Sequence, residues 1–149
     1  VYRLAKDVEV IKGAKDSSGD WENLKAYIQL TKDLDFSVLS GNDSLILPAL
    51  KEGGVGGIAG CSNVYPKVLS SIYELFQEGK LDEAQAAQDS IASFRAVFKY
   101  GNPNTVVKTA VAMLGYNVGK CRAPFNQLPQ EGLEALEKVL QENKDKGMC

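Results

Sequence analysis

Two lysines, Lys12 and Lys15, stand in VIKGAKDSSGD, residues 10–20, where an apolar run breaks into a polar turn. A lysine amine attacks a carbonyl only when partly neutral, and withdrawal from water inside an apolar enclosure is the usual way to bring that about. Side chains alternate along a strand, so Ile11, Gly13 and Lys15 share one face and Val10, Lys12 and Ala14 the other. Lys12 is thus expected mid-strand on the face that meets helices, its stem packed and its amine reaching outward. Lys15 falls at the carboxyl end of the strand, beyond a glycine that leaves space on its own face, which is where α/β enzymes place reactive groups. The plain alternative is a solvated lysine, or one paired with Asp16 or Asp20.

Few other groups could share such work. Histidine is absent, which removes Ser-His-Asp and Cys-His nucleophile systems, histidine bases and most transition-metal sites. Cys61, Cys121 and Cys149 are widely separated with no CxxC pair, so reduced thiols are expected instead of a disulfide framework or a zinc site. Cys61, with nothing basic beside it, reads as a core filler. Gly54, Gly56 and Ala59 fit the dinucleotide pattern GxGxxG/A, but that motif must follow a strand and open a helix, whereas these glycines lie where a strand itself is expected. They make either a slim wall that lets a ligand approach the backbone or a tight fit against a helix. Asp43, in SGND, serves as a helix N-cap or touches a ligand. Ser62 or Asn63 caps the following helix, whose N-terminus could also hold an anion.

The elements that must position these groups come in units of strand and helix. VEVIKGAK, residues 8–15, reads as a strand buried on both faces, DFSVLSG at 35–41 as a second and GVGGIAG at 54–60 as a third. DSSGD offers turn residues and an N-cap for WENLKAYIQLTKD, and DSLILPALKEG is a short helix stopping at Gly53. Alternation of this kind is the mark of parallel βα construction. Four helical stretches follow: NVYPKVLSSIYELFQEGK, LDEAQAAQDSIASFRAVFKYG, NTVVKTAVAMLG and PQEGLEALEKVLQENKDK. Residues 1–78 are therefore read as βα units and 79–149 as a helical extension. VYRLAKD reads as the end of a helix with no N-cap before it, and three strands cannot close a barrel, so the chain is expected to be the C-terminal portion of something larger.

The totals suit a globular chain: 149 residues, 44% hydrophobic and 24% charged, with a net charge of -2. No stretch concentrates basic and aromatic residues, so nucleic acid is not an expected partner. Apolar runs such as SLILPAL are far short of the roughly 20 residues of a membrane span, and no signal peptide opens the chain. The expectation is a cytoplasmic protein without membrane contact.

Taken together, VIKGAKDSSGD, FSVLSGNDSLILPALKEGGVGGIAGCSNVYP and GYNVGKCRAPFNQLP resemble the C-terminal half of the dihydrodipicolinate synthase and N-acetylneuraminate lyase family, in order and over nearly the whole chain. The resemblance implies the last three strands, six to eight, of a (β/α)8 barrel followed by a helical extension. It implies that Lys15 forms a Schiff base with pyruvate or another 2-oxo acid, with no metal or organic cofactor. Gly41, Asn42, Asp43 and Ser44 match the loop that touches the substrate tail, and Ile58, Ala59 and Gly60 the segment beside the bound pyruvyl group. Lyases specific for sialic acid usually carry Asp-Glu where this chain has Asp43-Ser44, which weighs against that substrate. CRAPF, residues 121–125, looks more like the lyase and keto-acid aldolase branches than the lysine-biosynthetic synthases. The family's proton-relaying tyrosine, its carboxylate-binding threonines and the arginine that marks the synthases belong to the N-terminal half.

What the resemblance implies is a lyase or aldolase that joins or cleaves a 2-oxo acid and an aldehyde or sugar-acid partner. Two alternatives stand beside it: a dihydrodipicolinate synthase condensing pyruvate with aspartate semialdehyde, and an inactive half-barrel that needs the missing N-terminal half or a second copy. The family commonly forms tetramers, and the helices after the third strand could supply homo-oligomer contacts or pack within their own subunit.

Overall fold

The computed structural model describes residues 1–125 and 127–148. It is an α/β structure holding a three-stranded parallel sheet in the order β1-β2-β3: β1 (Gly13–Asp16), β2 (Ser37–Ser40) and β3 (Gly56–Gly57). Helix α1 (Tyr2–Asp7) precedes β1, while α2 (Trp21–Thr31) and α3 (Ile46–Glu52) connect the strands. After β3 come α4 (Pro66–Gln77), α5 (Leu81–Ser90), α6 (Ala92–Ala96), α7 (Pro103–Met113) and α8 (Gln130–Asp145). Among the described residues no strand follows β3, and no helix is long and apolar enough to cross a membrane.

Contacts divide the chain into two compact units, Val1–Ala59 with Ser71–Gln88, and Gly60–Ser70 with Asp89–Cys149. In the first, Leu24 and Ile28 of α2 and Ala49 of α3 close on Val38 of β2, with Trp21, Tyr27, Phe36 and Leu45 around them. Burial of Leu24, Ile28 and Val38 contributes on the order of 1.5–3 kcal/mol each. Both helices therefore lie on the face of the sheet that Val38 presents. Asp20 caps α2, accepting from the N–H groups of Glu22 and Asn23. Gly53 ends α3 in the left-handed conformation at φ 103°, where a Cβ would be strained.

In the second unit, Tyr65 and Phe94 meet edge to face with ring centroids 5.3 Å apart. Asn143 of α8 is fully buried and donates through Nδ2 to the Tyr65 hydroxyl at 3.0 Å. Cys61 is buried and Cys121 half-buried, and neither is in a disulfide among the described residues, whereas Cys149 lies outside them.

Three expectations need correction. The strand expected over 8–15 begins only at Gly13: Ile11 N–H bonds back to the Val8 carbonyl in a turn, and Val10 is 85% exposed. β1 is an edge strand, and the residues before Gly13 find no second neighbour to hold them extended. Lys12 therefore precedes the strand instead of standing in its middle, and its amine, outward as expected, pairs with Asp35 at 2.8 Å on the surface. The stretch 81–101 is also not one helix, since it breaks at Ile91 into α5 and α6 and ends in a 3-10 turn, Val97–Tyr100. Ladder pairing of the third strand covers only Gly56 and Gly57, although Val55 N–H to the Val38 carbonyl and Ile58 N–H to the Ser40 carbonyl continue the bonding on either side.

Candidate functional site

Strand register determines what surrounds Lys15. Lys15 pairs with Leu39, and Leu39 with Gly56, so these three form one row across the sheet, and the next row is Asp16, Ser40 and Gly57. Val38, one residue before Leu39, faces the helices. Alternation then puts Lys15, Leu39 and Gly56 on the opposite face, where Gly56 is buried, Leu39 half-buried and Lys15 exposed. Ile58, two residues beyond Gly56, extends that face and is exposed.

The Lys15 side chain is exposed. Withdrawal of its amine from water, expected from the sequence, is not achieved by this chain: Lys15 stands on the edge strand of an open three-stranded sheet and stays exposed while Leu39 beside it is half-buried. Nor is the lysine an ion-pair partner of either nearby acid. The carboxyl group of Asp16 points to the helix side, where it accepts from Ser18 N–H at 2.9 Å, Ser18 Oγ at 3.0 Å and Asn23 Nδ2 at 3.0 Å. Asp20 is occupied as the cap of α2.

The glycines of β3 divide their roles. A Cβ on Gly57 would come within 2.7 Å of Ile46 Cγ1, so that glycine serves packing under α3. On Gly56 a Cβ would meet only Leu39 Cδ2 at 3.9 Å, but the backbone sits at φ 154°, a region that glycine adopts readily. Its lack of a side chain keeps the face it shares with Lys15 slim. The strand character of these glycines, with α4 starting only at Pro66, leaves the dinucleotide motif without its required helix.

The loop after β2 is built by its own polar groups. Asn42 caps it, its Oδ1 accepting from Ser44 N–H at 3.0 Å and Ser44 Oγ at 2.8 Å; the cap is thus Asn42 where Asp43 was expected. Asp43 is buried and Ser44 exposed. Ser40 Oγ donates to the Asn42 carbonyl at 2.9 Å, and Gly41 N–H donates to the Asp16 carbonyl at 2.6 Å. Gly41, Asn42, Asp43 and Ser44 therefore stand at the same end of the sheet as Lys15, just beyond the adjacent strand. Ile58 and Ala59 continue from β3 in the same unit, while Gly60 opens the 3-10 turn Gly60–Asn63 of the other. There Asn63 Nδ2 donates back to the Gly60 carbonyl at 3.0 Å. Among the described residues no group of three His, Cys, Asp or Glu side chains is placed to hold a metal ion. Sequence reasoning had weighed Asp16 only as a partner for Lys15, and its real bonds, to Ser18 and Asn23, were legible only as an Asx-turn pattern in DSSGD.

The sequence model of the Dihydrodipicolinate synthetase family matches residues 1–143. The chain belongs to that family. It corresponds to the C-terminal half of the family's proteins and spans about half the length of the curated relatives it matches. The 4-hydroxy-tetrahydrodipicolinate synthase of Methanospirillum hungatei is 38% identical over 141 residues, which cover 94% of this chain and 48% of that protein. Among solved structures, the 4-hydroxy-tetrahydrodipicolinate synthase of Methylacidiphilum fumariolicum is 33% identical, with a TM-score of 0.86 over 97% of this chain and 48% of that one. A variant of the 2-keto-3-deoxygluconate aldolase of Sulfolobus solfataricus is 26% identical, with a TM-score of 0.82 over 97% of this chain and 49% of that one.

Proposed function

We propose that this chain supplies the Schiff-base lysine and the partner-binding loop of a (β/α)8 lyase or aldolase acting on a pyruvate-type 2-oxo acid. Lys15 carries the reading: it stands at the carboxyl end of β1, on the face of the sheet away from α2 and α3, while Asp16 and Asp20 are bonded elsewhere. Strands from an N-terminal half would close the ring over that face and remove the amine from water, which favours its neutral, nucleophilic form.

In the proposed reaction the neutral Lys15 amine adds to the ketone carbon of the 2-oxo acid, one proton is taken up from solvent and water leaves, giving a protonated imine. That iminium accepts electrons. Loss of a proton from the neighbouring carbon yields an enamine that attacks an aldehyde; in reverse, the carbon-carbon bond breaks and its electron pair moves into the iminium. Hydrolysis frees the product and returns the amine. Gly41, Asn42, Asp43 and Ser44 would meet the second carbonyl compound, and Ile58, Ala59 and Gly60 would lie beside the pyruvyl group.

Pyruvate added with borohydride to the whole enzyme tests this. A reduced pyruvyl adduct on the peptide containing Lys15, lost in Lys15→Arg, is the expected result; an adduct on another lysine, or none, overturns it.

A second reading names the partner as aspartate semialdehyde, making the enzyme a dihydrodipicolinate synthase. The names of relatives such as the Methanospirillum hungatei protein favour it, and the aldolase similarity favours the broader reading. Turnover of pyruvate with aspartate semialdehyde, compared with sugar-derived aldehydes, separates the two.

A further inference from the structure

We infer that Gln88 of α5 is a positioning residue that grips the Gly41–Ser44 loop and thereby helps set which carbonyl partner the site accepts; the inference rests on the reading just given.

Helix α5 is largely polar, LDEAQAAQDS, and the side chains it buries are Ala84 and Gln88. Gln88 is only 6% exposed. A buried primary amide is costly unless both its ends find partners, and this one has two. Its Nε2 donates to the Asp43 carbonyl at 2.8 Å, and its Oε1 accepts from Leu47 N–H at 3.0 Å. The partners lie 45 and 41 positions away in sequence, so these bonds do not belong to the helix's own construction.

Both partners are backbone groups at the ends of one short turn. Leu47 N–H lies in the first turn of α3, where amides lack an acceptor within the helix. The Asp43 carbonyl opens the 3-10 turn Asp43–Leu45. One side chain with a donor and an acceptor at fixed spacing holds the turn from both sides, which no apolar residue could do. Asn42 and Ser44 brace the loop from within, and Gln88 ties it to a separate element.

The loop's position decides where Asp43 and Ser44 stand relative to the Lys15 row. Since the 2-oxo acid is held by its covalent bond to Lys15, a displaced loop should affect the second carbonyl compound and spare Schiff-base formation.

The experiment uses the whole enzyme and Gln88→Leu, which keeps bulk and removes both bonds. The KM for the aldehyde partner is expected to rise about tenfold, the size of one to two lost hydrogen bonds, while reductive trapping of pyruvate at Lys15 stays within about twofold and kcat falls less than KM rises. An unchanged aldehyde KM overturns the inference, and so does a parallel loss of trapping, which would mark general damage to the fold. Gln88→Glu keeps the acceptor for Leu47 and turns the group facing the Asp43 carbonyl into an acceptor, and the same split is expected from it. Should neither variant fold, hydrogen exchange on the unmodified enzyme still decides. Leu47 N–H should be as protected as interior amides of α3, and rapid exchange there overturns the grip. Absence of any adduct at Lys15 in the unmodified enzyme would instead defeat the reading of the site, and leaves the exchange result to speak for Gln88 separately.

Discussion

The N–H of Gly41 donates to the carbonyl of Asp16 at 2.6 Å, so the first residue beyond β2 is fastened to the last residue of β1, one position after Lys15. The proposed nucleophile and the proposed partner-binding loop thus share a frame made of two adjacent strand ends. Their spacing is fixed by backbone, and side-chain choice on the loop can vary without moving the lysine.

That closeness has a steric consequence at Gly41. A Cβ there would run into Ser17 Oγ and come within 2.8 Å of the Asp16 carbonyl oxygen. The hydroxyl can turn away, but the carbonyl is part of the strand. Gly41→Ala is therefore expected to cost about 1–3 kcal/mol of stability, the range for overpacking a well-filled site. Denaturant unfolding reads that loss, and a raised KM for the aldehyde partner should accompany it. Full stability with unchanged KM would mean that the strand ends part freely.

A second prediction concerns acid. Lys12 holds the Asp35 carboxyl below the usual carboxylate range, first by its 2.8 Å hydrogen bond and then by its charge. A carboxyl depressed in the folded state adds stability above its unfolded value, near 3.9, and that contribution disappears as pH falls through the folded value. The pair is on the surface, so its worth at neutral pH is small. Lys12→Met should move the Asp35 titration, followed by carboxyl-carbon NMR, to higher pH while leaving the unfolding midpoint at pH 7 nearly unchanged. An Asp35 titration that does not move would show that the pair does not form in solution.

Legibility of the molecule in its sequence followed the range of the forces involved. β2, α2 and α3 were readable because their burial repeats at strand or helix period and the signals that end them are local: Asp20 as a cap, Gly53 as a left-handed stop. Val8 to Lys12 misled, since β-branched residues suit a strand only where neighbours pair with it, and β1 lies at the sheet's edge. The cap after β2 shifted from Asp43 to Asn42 because either residue type can accept the orphan N–H groups, and only the observed start of the turn chooses between them. Lys15 could be singled out from its place after a glycine at a strand end. Its exposure could not, because burial of a sheet face depends on what packs against it and not on local pattern. Gln88 gave no signal at all, as its partners are main-chain groups far away in sequence.

Asp16 allows charge to be separated from geometry. It is 8% exposed, and three donors converge on its two oxygens: Ser18 N–H, Ser18 Oγ–H and the Asn23 amide. In Asp16→Asn the remaining oxygen can still take Ser18 N–H. The new NH2 group would meet the Ser18 hydroxyl, which can accept, and Asn23, which can present its own oxygen after a flip. All three contacts survive in that arrangement, so a loss under about 1.5 kcal/mol is expected. Asp16→Ala removes all three and leaves donors on exposed Ser18 and half-buried Asn23 to find water, which should cost about 1–3 kcal/mol and loosen the strand end that carries Lys15. The two unfolding curves, set beside the rate of reductive trapping at Lys15, provide the check. Trapping should survive Asp16→Asn and slow in Asp16→Ala; equal slowing in both would show that the charge of Asp16, and not its bonds, acts on the lysine.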